Sequence, residues 1–224
     1  MGSGDGRIPI AAAQRYGARG VGIELDADLV ERSRQNAAAA GVAERTEFHV
    51  EDVLLADLSK ASVVTIYLLP SLMARLAPRM LEELRPGTRV VTHAFVFPSW
   101  KPDRVEKVRV AGGSYGQAEE STVMLWVVPA QARGRYAAAD AAGQWHFAVH
   151  QNFQQIEVEG TLGGQPLRID AARLSGSAIE WSGSAETAQG TLPLRFAGRV
   201  SADRILGELR LGDRASAFAA FRQR

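Results

Sequence analysis

The chain has 224 residues, with 26 Lys and Arg against 25 Asp and Glu, so its formal net charge is +1. This balance gives no reason to expect a polyanionic partner, and no nucleic acid is predicted. The sequence contains no cysteine, which excludes disulfides, thiolate zinc sites and cysteine nucleophiles. No apolar run reaches the ~20 residues of a membrane span, and no metal site is predicted.

The first predicted element is a glycine-rich loop, residues 2–6, that leads directly into a helix over residues 7–16. Glycine tolerates positive φ and lets a ligand approach the backbone closely. The start of a helix adds free N–H groups and the positive end of its dipole. The loop is therefore a candidate ligand site. A nicotinamide dinucleotide is disfavoured, because the third glycine comes one position early and Arg7 stands where a glycine is wanted.

An acidic residue ends the next predicted strand, Gly20 to Glu24, about 20 residues beyond the loop, which is the spacing at which Rossmann-type domains bind ribose hydroxyls. The alternative is an ordinary solvent-facing acid at a strand end. Asp26 is predicted to cap a helix over residues 27–40. A third strand, Thr46 to Val50, leads into Glu51-Asp52-Val53.

The fourth predicted strand, Ser62 to Leu68, is almost continuously apolar, as in a strand covered on both faces. Ligands of open α/β sheets bind beyond the carboxyl ends of the strands, so Tyr67 is a candidate for contact with a substrate. His93, near the end of the fifth predicted strand (88–93), either borders the same cleft or is structural. The remaining predicted elements of this half are a helix over 71–84 broken at Pro78 and an antiparallel pair, 104–110 and 121–128, joined through Gly112-Gly113.

The sequence pattern changes in the last third of the chain. Residues 130–143 are rich in alanine and are predicted to be an irregular linker. After them, short alternating segments predict an antiparallel meander that forms an open barrel or a curved sheet. No catalytic motif is recognisable there, so a docking or covering role is expected. The predicted strands are 145–149, 153–162, 167–174, 178–183, 192–200 and 204–211.

Four motifs in order, GSGDGR, GVGIELD, EDV and TIYLLP, make residues 2–128 resemble a class I S-adenosylmethionine-dependent methyltransferase. The resemblance is nearest to the small protein-lysine methyltransferases of archaea and mitochondria. It implies an α/β fold with a Rossmann-like sheet, followed by a smaller antiparallel β-rich domain. The expected domains are 1–129 and 144–224. The family's first strand and its acid precede the glycine loop and are missing here, so a truncated N-terminus is expected.

The resemblance also implies the site. Glu24 would hold the ribose of S-adenosylmethionine, Asp52 the adenine amino group, and Val53 would lie against the ring; the alternative for Asp52 is an ordinary turn acid. Tyr67 is the candidate catalytic residue, which orients the acceptor, and its alternative is a half-buried strand aromatic. Candidate walls of an acceptor channel are Leu68, Leu69, Phe95, Phe97 and Trp100, with a place in the core as the equal alternative for Trp100. The full set of cofactor-binding candidates is Gly2, Ser3, Gly4, Asp5, Gly6, Glu24, Leu25, Asp52, Val53 and Tyr67.

The predicted function is methyl transfer by direct displacement to an amine acceptor, with a protein lysine as the candidate. The donor is already activated, so the protein mainly supplies proximity, alignment and a dry site. Two alternatives stay open: a methyltransferase acting on a small molecule, and an inactive Rossmann-like binding module, because the first strand is absent. A cytoplasmic location is expected, although the missing start leaves an N-terminal signal open. The sequence does not predict an oligomeric state.

Overall fold

The computed structural model describes residues 1–109 and 120–223. The chain divides into two compact units, Met1–Trp126 and Val127–Arg224. The predicted Gly112-Gly113 turn lies outside the described residues.

The first unit alternates helices and strands, as predicted for a Rossmann-like domain. Most observed bounds lie within two residues of the predicted ones, because the apolar patterns end at glycine or at a capping residue. The elements are α1 (Arg7–Tyr16), β1 (Gly20–Glu24), α2 (Ala27–Ala39), a 3₁₀ turn (Ala43–Arg45), β2 (Thr46–Val50), β3 (Val63–Ile66), α3 (Pro70–Glu83), β4 (Arg89–His93), β5 (Arg104–Arg109) and β6 (Glu120–Val127).

The strands of this unit form two sheets. Strands β1 and β2 pair in parallel, and the second sheet has the order β3-β4-β6-β5, with β3 parallel to β4 and β5 antiparallel to β6. Residues 1–3 join the two sheets. The nitrogen of Met1 donates to the carbonyl of Thr65 (2.8 Å), and the N–H of Ser3 donates to the carbonyl of Ile23 (3.1 Å). The glycine loop therefore starts between the ends of β1 and β3.

This arrangement leaves apolar side chains exposed on both sheets. Val21 on β1 and Val63 on β3 are 58% and 42% exposed, whereas strands in the middle of a parallel sheet are normally buried on both faces. The two sheets are thus linked where the ligand loop lies, at the carboxyl ends of their parallel strands.

Helices α1 and α2 cover one face of the β1-β2 pair. Asp26 caps α2 as predicted, because its carboxylate accepts from the N–H groups of Asp28 (2.9 Å) and Leu29 (3.2 Å). Gly22 is required under this layer, since a Cβ there would lie 2.4 Å from the ring of Phe48. The small core under the two helices consists of Ile10, Ala13, Val30, Ala37, Val42 and Phe48.

The predicted break at Pro78 is wrong, because α3 runs without interruption from Pro70 to Glu83. Proline removes a helical hydrogen bond and crowds the preceding turn. Here an apolar face extends through both sides of Pro78 and is fully buried: Met73, Leu76 and Met80 each have no exposed surface. Burial of three large side chains outweighs a proline penalty of ~3 kcal/mol.

The second unit is a closed antiparallel barrel of eight strands in which each strand pairs with the next along the chain. The prediction of an antiparallel β-rich domain is confirmed. The observed barrel differs from the predicted meander in being closed and in having two more strands, one at each end. Strand β14 closes the barrel onto β7 through the pairs Phe221–Ala137 and Arg222–Tyr136. The strands are β7 (Gly134–Asp140), β8 (Gly143–Asn152), β9 (Gln155–Leu162), β10 (Gln165–Ser175), β11 (Ala178–Thr187), β12 (Gly190–Ser201), β13 (Arg204–Leu211) and β14 (Arg214–Arg222).

The prediction that residues 130–143 are irregular is wrong, because β7 lies inside that segment. Its inward positions are Tyr136 and Ala138, which are buried. Alanine is depleted in strands and carries little hydrophobic signal, so the alternation of this strand is almost invisible in the sequence.

Aromatic rings fill the interior of the barrel. Trp181 stacks on Phe196 with ring centroids 4.1 Å apart, and Phe218 packs edge-on against Trp145, Phe147 and Phe196 at 5.7–5.8 Å. An eight-stranded barrel has an interior that side chains just fill. These rings form a packed core, and an open cavity of about 990 Å³ lies beside them, lined in part by Phe147, Val158 and Leu167.

Candidate functional site

The glycine loop is built from three left-handed residues and is fastened to α2. Gly2, Gly4 and Gly6 have φ of 64°, 55° and 79°, a region that other residues enter only at a cost. The buried hydroxyl of Ser33 donates to the carbonyl of Gly4 (2.9 Å), and the amide of Asn36 donates to the carbonyl of Asp5 (2.9 Å). The sequence analysis missed both anchors, and a small polar residue on the buried face of α2 was the only signal that pointed to them.

Glu24 lies directly against this loop. One carboxylate oxygen accepts from the N–H of Gly4 (3.0 Å), and the other accepts from the N–H of Leu25 (2.9 Å). A longer bond comes from the N–H of Asp26 (3.4 Å). A carboxylate offers about four lone-pair directions, so these three bonds leave capacity for a further donor. The predicted ribose-binding acid and the predicted loop are therefore in direct contact. The side chain of Leu25 is exposed.

Asp52 follows the neighbouring strand at the same edge. The N–H of Glu51 donates to the carbonyl of Glu24 (3.0 Å), which ties the ends of β1 and β2 together. The Asp52 carboxylate accepts from the N–H of Leu54 (2.9 Å) and so shapes the turn after β2, in which Val53 is buried. The loop, Glu24 and Asp52 thus line one edge of the first sheet.

Asp5 points its carboxylate at Arg7 instead of at the loop interior. The two side chains form an ion pair of 2.8 Å in which the guanidinium also donates from Nε. Hydrogen bonding from Arg7 holds the pKa of Asp5 below its usual value. The ion pair joins the glycine loop to Arg7, the first residue of α1.

Two features of the glycine loop and one of the neighbouring Glu24 fit an adenosyl ligand. The hydroxyl oxygen of Ser3 is buried without a hydrogen-bond partner among the described residues. A Cβ added at Gly4 would meet nothing within 4 Å, so there is open space above that residue. The third feature is the Glu24 carboxylate, which is placed to accept from vicinal hydroxyls. A buried polar atom without a partner costs free energy unless a ligand or water satisfies it.

Tyr67 lies on the other side of the loop. Its N–H donates to the carbonyl of Met1 (3.2 Å), and a Cβ added at Gly2 would lie 2.6 Å from the Tyr67 carbonyl. Its ring is 51% exposed and stacks on His93 with centroids 5.4 Å apart, while Phe95 lies at 6.0 Å. The Nε2 atom of His93 is hydrogen-bonded to the hydroxyl of Ser121. Sequence reasoning left His93 undecided and treated Phe95 only as a wall.

Phe97, a candidate channel wall, belongs to the core instead, and Trp100 takes its alternative place there. Phe97 and Trp100 are 4% and 1% exposed, and both rings pack on Trp126 at 5.0 and 6.3 Å. The indole N–H of Trp126 donates to the carbonyl of Trp100 (2.9 Å), which fixes the cluster. Leu68 and Leu69 remain near Tyr67 in sequence, half-buried and exposed respectively.

Comparison with known proteins decides the family. The family model described as ANTKMT methyltransferase domain matches residues 1–104. A protein-lysine N-methyltransferase of Saccharolobus islandicus (strain REY15A) is 35% identical over 129 residues, which are 57% of this chain and 76% of that protein. The chain belongs to the class I S-adenosylmethionine-dependent methyltransferases, close to the protein-lysine methyltransferases. S-adenosylmethionine is accordingly the cofactor of this methyltransferase, as predicted from the four motifs.

Other relatives of the methyltransferase extend the comparison. The adenine nucleotide translocase lysine N-methyltransferase of Mus musculus is 36% identical over 102 residues, 46% of this chain and 44% of that protein. The chain thus spans about half the length of such relatives. A crystal structure of an RNA methyltransferase from Salinibacter ruber with S-adenosyl-L-homocysteine is 51% identical and covers 56% of this chain and 76% of that one, with a TM-score of 0.49.

The helices of the methyltransferase, within residues 1–109 and 120–223, include none that is long and apolar enough to span a membrane.

Proposed function

We propose that this methyltransferase transfers the methyl group by direct displacement to an amine, and that the amine is the side chain of a protein lysine. The observation that carries the proposal is the hydrogen bond from the Gly4 N–H to the Glu24 carboxylate at 3.0 Å. It brings the glycine loop and the candidate ribose acid into one site, with Asp52 beside them. The names of the lysine-methylating relatives supply the acceptor class.

The donor side uses the loop and the two acids. Glu24 accepts from the ribose hydroxyls with the lone-pair capacity that its backbone N–H partners leave over. Asp52, whose turn is already set by its bond to Leu54, accepts from the adenine amino group, and buried Val53 supports the ring. The N–H groups of Ser3, Gly4 and Gly6 already donate within the protein, so the Ser3 hydroxyl is the loop group proposed to meet the remaining polar groups of the ligand. Positioning of this kind is the main contribution that an already activated donor needs.

The acceptor side uses Tyr67. S-adenosylmethionine supplies a methyl group on a sulfonium, and transfer to an amine forms one N–C bond, breaks one S–C bond and releases one proton from nitrogen. Only a neutral amine has the lone pair for this attack, and an exposed lysine has a pKa of about 10.4. The apolar surfaces of Tyr67, Leu68 and Phe95 lower the solvation of a cation beside them and favour the neutral amine.

Two other acceptors are weaker candidates. The Salinibacter relative carries the name RNA methyltransferase, but a net charge of +1 offers little attraction to a polyanion. A small acceptor held by the barrel would occupy the open cavity lined by Phe147, Val158 and Leu167, which belongs to the second unit, whereas the glycine loop and Glu24 belong to the first. A non-catalytic binding module remains the alternative from a different class.

A transfer assay separates these possibilities. Methyl-labelled S-adenosylmethionine is incubated with the full chain and a cell extract, and the products are digested with protease or with ribonuclease. We expect label that resists ribonuclease and is recovered as methylated lysine after hydrolysis. Tyr67→Ala should lower incorporation at least about tenfold, while Tyr16→Ala, which removes an exposed ring on α1, should not. Label in RNA, or S-adenosylhomocysteine binding without any transfer, would contradict the proposal.

A further inference from the structure

Three aromatic rings gather beyond the carboxyl ends of β3 and β4. Tyr67 is stacked on His93 (5.4 Å between centroids, 26° between planes) and tilted against Phe95 (6.0 Å, 45°). Tyr67 is half exposed and the other two rings are half-buried. The cluster therefore presents aromatic surface to solvent immediately beside the glycine loop.

The turn that carries Phe95 is held in an uncommon conformation. Ala94 has φ of 63°, in the left-handed region that residues with a side chain seldom adopt. Three hydrogen bonds maintain it: Phe95 N–H to the His93 carbonyl (2.8 Å), Ala94 N–H to the Thr122 carbonyl (2.9 Å) and the Thr92 hydroxyl to the Phe95 carbonyl (2.6 Å). Strain that is maintained by its surroundings is typical of functional sites. Here it turns Phe95 back beside Tyr67.

His93 is fixed independently of Tyr67. Its Nε2 atom is hydrogen-bonded to the hydroxyl of Ser121 on β6, a strand of the same sheet. The imidazole ring is therefore oriented before any ligand arrives. Both rings that flank Tyr67 are thus set by neighbouring strands and by the strained turn.

Aromatic faces attract cations, and alkylated ammonium groups are the cations that aromatic clusters bind most readily in proteins. We propose that Tyr67, His93 and Phe95 form a subsite for a methylated ammonium group. With the proposed function, on which this inference rests, that group is the lysine product of one transfer. The subsite retains this product beside the loop, so that it can lose its proton and accept a further methyl group, each round replacing one N–H by one N–CH₃.

The subsite can be tested without turnover. The full chain, saturated with S-adenosylhomocysteine, is titrated with choline and separately with 3,3-dimethylbutan-1-ol, which has the same shape without the charge, while aromatic proton shifts are followed. We expect choline to shift the signals of Tyr67, His93 and Phe95 and to bind about two- to fivefold more tightly than the neutral alcohol, as an exposed cation–π contact provides. Equal affinity of the two probes would overturn the proposal.

Variants assign the effect to the rings. His93→Leu and Phe95→Leu should each weaken choline binding about two- to fivefold, whereas His93→Phe, which keeps a ring, should retain it. Tyr16→Leu serves as control because it removes an exposed ring elsewhere on the unit. Dispersed amide spectra verify that each variant is folded, and Phe95→Leu provides the result if His93→Leu does not fold. Unchanged choline affinity in a folded Phe95→Leu variant would refute the subsite.

The two proposals fail in different ways. If the proposed function is wrong, labelled methyl groups do not reach lysine in the transfer assay, whatever choline does. If only the subsite is wrong, transfer to lysine proceeds, choline shows no preference over the alcohol, and the ratio of trimethyl- to monomethyl-lysine is the same in Phe95→Leu as in the unmodified chain.

Discussion

The Glu24 carboxylate accepts a hydrogen bond from the backbone N–H of Gly4 at 3.0 Å, across 20 residues of chain. This bond joins the end of β1 to the middle of the glycine loop. Together with the bond from the Glu51 N–H to the Glu24 carbonyl, it brings three separate sequence motifs to one edge of a sheet. The proposed donor site rests on that junction.

Replacement of Glu24 should weaken cofactor binding. Glu24→Ala removes the proposed ribose acceptor and one partner of the Gly4 N–H, so we expect the affinity for S-adenosylhomocysteine to fall by ~1–3 kcal/mol, the scale of a lost charged hydrogen bond. Titration calorimetry measures the change. Glu82→Ala on α3, an exposed acid, is the matched control and should bind as the unmodified chain does. An equal affinity in both variants would exclude Glu24 from the site.

Replacement of Ser33 should weaken cofactor binding, because Ser33 holds the glycine loop in place. Its buried hydroxyl bonds to the Gly4 carbonyl, so Ser33→Ala leaves a carbonyl unsatisfied and should lower the unfolding free energy of the first unit by ~1–3 kcal/mol. Denaturant titration gives that value, and calorimetry should show weaker S-adenosylhomocysteine binding as well. Ser201→Ala on an exposed position of β12 is the control. Loss of stability without loss of affinity would show that the loop does not depend on this anchor.

A methyl group at Gly22 should destabilise the first unit, because it would clash with Phe48 and Ser3. A Cβ there would lie 2.4 Å from the Phe48 ring and 2.9 Å from the Ser3 hydroxyl, and overpacking of this kind costs ~1–3 kcal/mol. Thermal unfolding of Gly22→Ala should show the loss. The double variant Gly22→Ala with Phe48→Leu should recover part of it, because the ring no longer fills the space. Additive losses in the double variant would contradict the assigned clash.

Tyr136 should make the barrel sensitive to alkaline pH. Burial raises the pKa of Tyr136 above its model-compound value of 10.0, so the unfolded chain releases this proton at lower pH than the folded one. The unfolding free energy should therefore fall as the pH rises above about 10. Hydrogen exchange of the barrel amides measures it. Tyr136→Phe should lack this component, whereas Tyr16→Phe should keep it. An identical alkaline slope in Tyr136→Phe and the unmodified chain would contradict this origin.

Much of the first unit was predictable because its signals are local. Asp26 precedes a segment with apolar residues at helical spacing, and it caps α2. Glu24 is the last residue of a short strand at a characteristic distance from the glycine loop. Phe97 was misplaced and Trp100 was left undecided, because an aromatic residue in a loop looks the same in the sequence whether it lines a channel or packs on Trp126. The continuity of α3 through Pro78 also depended on burial, which the local sequence does not reveal.

The cluster of Tyr67, His93 and Phe95 and the closure of the barrel could not be predicted from the sequence, for a different reason. His93, Phe95 and Ser121 come together only through the order β3-β4-β6-β5 and a left-handed Ala94. Likewise, three of the seven residues of β7 are alanine, so the sequence pattern does not reveal the strand or its pairing with β14. Contacts between residues distant in the chain decide both.

The central claim is that the glycine loop, Glu24 and Asp52 enclose one adenosyl ligand. Its most direct test is a titration of S-adenosylhomocysteine into the isotope-labelled full chain, read as amide shifts. We predict saturable shifts at residues 2–6, at Glu24 and Leu25, and at Asp52 and Val53, all with one dissociation constant. Saturable binding that leaves these amides unshifted, or no binding at millimolar ligand, would contradict it.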